Sequence, residues 1–196
     1  MNHKRMIPFY ACILILAYFA VHYLSTGNYE FMVYIVSIGA LTGVLMWSDK
    51  YVKYLALGKW GYTIWLLGHM LGGTLKINGT KLYGTIIINW LGEPFNILRF
   101  DQAIHFYLYL VMPILLYSII KWAVRIKNYE NTKKWVVGII IVLAAIGIGA
   151  INEIIEFFIT VYYAGSGVGD YYNNSIDLIF NALGAITGTI IVMMKK

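Results

Sequence analysis

His69, Asp101, His105, Glu153, Glu156, Asp170 and Asp177 put five carboxylates and two imidazoles into a 196-residue chain that is 60% hydrophobic and 12% charged. Carboxylate and imidazole side chains together hold zinc, iron or manganese, or pass protons, and their mixed oxygen and nitrogen donors do not choose among those metals. Residues three or four apart share a helix face. Asp101 and His105 are therefore neighbours on one helix, and Glu153 and Glu156 on another, the latter with Asn152 beside them. An imidazole with a carboxylate at i−4 is oriented by it. Two like charges one turn apart in an apolar helix are costly unless a cation or a proton compensates them. Glu-x-x-Glu and Glu-x-x-His spacings are how helix bundles hold metal ions.

These residues need elements to position them, and composition says which. The mean hydropathy is strongly positive, and aromatic residues make up 16% of the chain. That is the composition of an integral membrane protein. The net charge of +6 comes from basic residues in short clusters between apolar runs, a pattern that orients helices in a bilayer and gives no nucleic-acid surface. Cys12 is the one cysteine, which excludes an intramolecular disulfide and a thiolate cluster.

A helix needs roughly 17 to 25 apolar residues to cross the hydrocarbon core. Six stretches meet that or come close: 7–24, 31–47, 54–72, 102–120, 135–159 and 176–194. The expected fold is an all-α polytopic bundle, one domain over 1–196. Lys4 and Arg5 ahead of the first run have the order of a signal peptide, but the run exceeds a typical signal core, so a retained helix is expected. With the N-terminus inside, twelve of the fifteen basic residues fall in inside segments, and Lys76, Lys81 and Arg99 remain outside. This places both termini in the cytoplasm and the protein in the cell membrane.

All seven candidate residues then lie near the outer face. The long outer connection 73–100 carries a piece, 82–91, too short to span; Tyr83 and Trp90 mark it as interfacial or re-entrant. Gly68 with Gly72 and Gly184 with Gly188 are small pairs four apart, of the kind that bring helices close within a bundle or between copies. Bland readings stand beside the functional ones. Asp101 and Asp177 can be first-turn acids that complement a helix dipole, and Asp170 can be a solvated loop residue.

The sequence resembles the YjdF-like family of bacterial inner-membrane proteins of unknown function. Phe100-Asp101-Gln102-Ala103-Ile104-His105-Phe106 is similar to an aromatic-Asp-x-x-x-His-Phe pattern of that family. Asn152-Glu153-Ile154-Ile155-Glu156-Phe157 is similar to its Glu-x-x-Glu-aromatic pattern. Gly169-Asp170, then Asp177 and Leu183-Gly184-Ala185, follow in order, and His69 with Gly72 extends the likeness over about 60–190. The chain departs at Tyr172-Asn173-Asn174-Ser175, where the family has Trp-Asp-x-Gln, and at Leu108-Tyr109, where relatives carry Gln-Gly. The resemblance implies a shared polar site and supplies no reaction.

Three functions fit these residues. A membrane metalloenzyme would hold a divalent ion near the outer leaflet and act on lipid or a small substrate. A proton- or cation-coupled carrier would use the same acids, and needs polar groups continuing inward, where Thr63, Ser118, Thr187 and Thr189 offer little. A structural or assembly protein would use the cluster to pin helix ends together.

Overall fold

A computed structural model describes residues 3–123, 133–162 and 171–194. It contains six long helices: α1 His3–Thr26, α2 Tyr29–Val52, α3 Ala56–Thr74, α4 Phe100–Ala123, α5 Lys134–Tyr162 and α6 Tyr171–Met194. The fold is all-α and polytopic. Five of the six are long and apolar enough to cross a membrane. The exception is α3, 19 residues long, whose five glycines, Lys59 and His69 dilute its hydropathy. Its position accounts for that composition: α3 packs between α1 and α4, and eleven of its residues are buried. Neighbouring helices, rather than lipid, form most of its surroundings.

Helix α6 begins at Tyr171, well before the expected start at 176. Asp177 is therefore in the second turn, fully buried, and the first-turn dipole reading does not apply to it. Asp101 does sit in the first turn of α4.

Close packing of α4 on α6 depends on two glycines. A Cβ on Gly184 would overlap the carbonyl oxygen of Phe106, and one on Gly188 that of Leu110. Gly68 and Gly72 are filled in the same way, by the Ile104 side chain and the Tyr83 ring. The faces expected to be available for oligomer contact are thus occupied within the chain. Gly188→Val is expected to lose about 1–3 kcal/mol to overpacking, while Gly147→Val, where a Cβ meets nothing within 4 Å, should change little. Thermal unfolding in detergent micelles compares the two.

Far from the candidate residues, at the other end of the bundle, Asp49 is only 3% exposed. Its carboxylate meets Arg5 at 3.2 Å and the buried Lys59 at 3.3 Å, and accepts the Tyr54 backbone N–H at 2.9 Å. One carboxylate therefore ties α1, α2 and α3 together.

The long connection between α3 and α4 starts with a hairpin, β1 Lys76–Ile77 against β2 Thr80–Lys81, and one 3-10 turn, Leu82–Gly84. The chain then runs out and back on itself, with the Ile87 N–H donating to Leu98 O at 2.8 Å and the Phe100 N–H to Thr85 O at 3.0 Å. Ile86, Ile87, Ile88, Trp90 and Leu91 along this excursion are exposed. A run of exposed aliphatic side chains ending in tryptophan suits a membrane interface.

Candidate functional site

Helices α4, α5 and α6 deliver the polar residues to one point because each presents a face three or four residues in period. His105 is at the centre, 6% exposed. Its Nε2 lies 3.5 Å from Asp101 Oδ1 and 3.7 Å from Glu156 Oε1, and its Nδ1 lies 3.4 Å from Glu153 Oε1. Asp177 completes the arrangement. Two groups of three, Asp101–His105–Asp177 and His105–Glu153–Glu156, each have candidate ligand atoms within 4.8 Å of one another. His105 belongs to both.

Three asparagines hold this centre in place. Asn173, one turn before Asp177, donates through Nδ2 to Asp177 Oδ2 at 2.6 Å and to Asp101 Oδ2 at 3.1 Å. Its own Oδ1 accepts from Arg99 at 3.3 Å. Asn152 donates to Glu156 Oε1 at 2.8 Å. Asn181 contacts Glu153 Oε1 through its amide nitrogen at 3.4 Å and His105 Nδ1 through its oxygen at 3.1 Å. Since the amide oxygen can only accept, His105 Nδ1 carries the proton, and Nε2 is left facing Asp101 and Glu156. Gly149 permits this approach: a Cβ there would stand 3.0 Å from Asn181 Nδ2 and 3.3 Å from the Tyr109 ring.

The centre has an excess of negative groups. Among the described residues, His105 is the sole cation-forming side chain within 4 Å of any of its four carboxylates. Glu153 Oε2 and Asp177 Oδ1 are buried without a hydrogen-bond partner. Two carboxylate charges 4 Å apart repel by about 4 kcal/mol at an effective dielectric constant of about 20. Several such pairs cannot all stay ionised without a positive partner or protons.

His69 stands apart from this set. It is boxed by Phe31, Tyr34, Trp65 and Tyr83, and its Nδ1 makes a short hydrogen bond with the Tyr83 hydroxyl. Burial, with the Asp101 charge behind it, pushes the Tyr83 phenol well above its usual pKa. His69 Nε2 is buried and unpartnered. A cavity of about 10 Å³, at the lower limit for one water molecule, separates His69 from His105 and Glu156. His69 also lines a larger pocket of about 270 Å³ with Phe31, Tyr34, Tyr83, Asp101 and Glu156. It is a wall of the approach to the centre. Asp170, the seventh candidate, lies outside the described residues.

The all-α, membrane-spanning architecture agrees with the one comparison that returns a match. A family model described as "Predicted membrane protein (DUF2238)" covers residues 7–196. The chain belongs to the DUF2238 family. No curated protein and no solved structure matches it. Membership establishes a membrane protein and leaves its chemistry to be argued from the site.

Several members of the site escaped sequence reading. Asn173 entered only as a departure from a family pattern, although it sits at i−4 from Asp177. Tyr83 was read as an interface anchor, while its hydroxyl reaches His69. Glu30 and Lys81, paired at 3.1 Å on the pocket rim, carry no local signal, because 51 residues separate them.

Proposed function

We propose that this centre holds a divalent metal ion, with His105 as its nitrogen ligand and carboxylates from Asp101, Glu153, Glu156 and Asp177 supplying oxygens. The observation that carries this reading is the donor geometry. The separations of His105 Nε2 from Asp101 Oδ1 and Glu156 Oε1, 3.5 and 3.7 Å, are longer than good hydrogen bonds. They match the ligand-to-ligand edge of a tetrahedral ion with bonds of about 2.1 Å, which is about 3.4 Å. Asn181 fixing the His105 tautomer and Asn152 orienting Glu156 are the outer contacts such a site requires. His69 and Asp170 are further candidates, His69 through its place on the pocket wall.

Zinc, iron and manganese all suit this donor set. A metal here, with the pocket above it, supports a membrane metalloenzyme that activates water or polarises a substrate oxygen. The same charge excess supports a second reading, proton-coupled transport, in which protons take the place of the ion. A purely structural cluster is the remaining alternative. The orientation that goes with the metal reading has both termini cytoplasmic and the pocket facing the exterior of the cell membrane. The motif likeness to YjdF-like proteins belongs to this reading as well.

Cobalt substitution tests it. Co²⁺ added to metal-depleted protein is expected to give visible absorption bands that saturate near one ion per chain. His105→Ala should abolish them. Absent bands in the wild type would contradict a metal centre.

A further inference from the structure

The pocket of about 270 Å³ beside the polar centre has two kinds of wall. One is aromatic. Phe31, Tyr34 and Tyr83 line it, and the Phe31 ring centroid stands 5.3 Å from that of Tyr34 and 5.9 Å from that of Tyr83. The other wall is acidic, with Glu30 at the rim and Asp101 and Glu156 toward His105. Among the described residues, Lys81 is the sole lysine or arginine that lines the pocket. Its Nζ lies 5.4 Å from the Phe31 centroid and 3.1 Å from Glu30 Oε2. An aromatic face beside a carboxylate is the setting in which proteins hold ammonium ions. The Lys81 side chain is 35% exposed and ends the short strand β2, so its flexible four-carbon stem can swing out to solvent. The pocket thus has a built position for an ammonium group, filled by a side chain that can be displaced.

We propose that the pocket binds a small organic ammonium ion, whose charged head takes the place of the Lys81 ammonium against Phe31 and Glu30. Tyr34 and Tyr83 flank that position with further aromatic rings, and Asp101 and Glu156 add negative potential. An anion would meet three carboxylates and one lysine that is already paired. A hydrated metal ion would gain little from the three rings. The inference does not rest on the metal reading, because Phe31 and Glu30 define the Lys81 position and neither is assigned to the ion. A divalent ion at the centre would still leave its four carboxylates two charges in excess, so the two sites are compatible.

The test is calorimetric titration of the full chain with choline in uncharged maltoside micelles. One choline per chain, saturable, is expected. Its neutral isostere, with carbon in place of nitrogen, should bind about tenfold more weakly or worse, since it keeps the shape and loses the charge. Lys81→Met vacates the ammonium position and should tighten choline binding severalfold, whereas Glu30→Gln should weaken it severalfold. Lys76→Met, opposite Lys81 in the same hairpin and outside the pocket lining, should leave binding unchanged and serves as the charge and folding control. Three results each overturn the proposal: no saturable binding by wild type or Lys81→Met, equal affinity for the neutral isostere, or a Lys81→Met variant that binds no tighter than wild type. Metal content measured in the same samples separates this site from the metal centre. Choline binding by protein that takes up no metal keeps the ammonium site and removes the metal reading, and metal uptake without choline binding does the reverse.

Discussion

Asp49→Ala is expected to lower the unfolding free energy by about 3–5 kcal/mol, the cost of stranding a buried charge by deleting its partner. Among the described residues, Lys59 is left with the Arg5 backbone carbonyl at 2.6 Å as its remaining hydrogen-bond acceptor, and its side chain is 3% exposed. The same deletion removes the acceptor for the Tyr54 N–H, just after Lys53 ends α2 in the left-handed region at φ 55°. Arg5 contributes less to this cost, since its side chain is 38% exposed and can turn to solvent. Removing both charges in Asp49→Ala/Lys59→Met should recover much of the loss, because a buried pair exchanged for apolar groups is often neutral. Chemical unfolding in micelles reads both. A single-variant cost below 1 kcal/mol would mean that water reaches this end of the bundle.

His105→Ala carries the second large effect, and it has two components. The first is metal affinity, which should drop below detection because both groups of candidate ligands share this one imidazole. The second is stability. Metal added at a hundredfold excess over its dissociation constant should stabilise the wild type by about 2.7 kcal/mol through mass action and give the variant nothing. Without metal the variant should also be less stable than the wild type, since Asp101, Glu153 and Glu156 lose the cation-forming group they share. Adding Glu153→Gln and Glu156→Gln to the variant should then restore stability by removing repulsion. A wild type whose melting temperature ignores zinc, manganese and iron would contradict the metal reading even if His105→Ala is destabilising.

How far these residues could be read without coordinates follows from the range of the signals. Helix periodicity is local, so the pairings of Asp101 with His105 and of Glu153 with Glu156 were legible, as were six helices and their order. Depth in the bilayer is also local, and it brought Asp177 to the same level. What periodicity could not say is which helices touch. Asp49 and Lys59 each lie near a helix end, where local pattern carries no burial signal, and only the packing of α1, α2 and α3 buries them. His69 read as a member of the cluster by depth, yet α3 lies on the aromatic side of α4, so its imidazole meets Tyr83 in place of a carboxylate. The α6 start was misplaced because Tyr171 to Ser175 is polar. Those polar residues are helical because Asn173 has Asp101, Asp177 and Arg99 to bond with.

Elemental analysis of detergent-purified protein, wild type beside Glu153→Gln/Glu156→Gln, tests the central claim most directly. The metal reading requires close to one zinc, iron or manganese per chain in the wild type and a near-complete loss in the double variant, with both proteins still folded. No metal in either after reconstitution with each ion would contradict it.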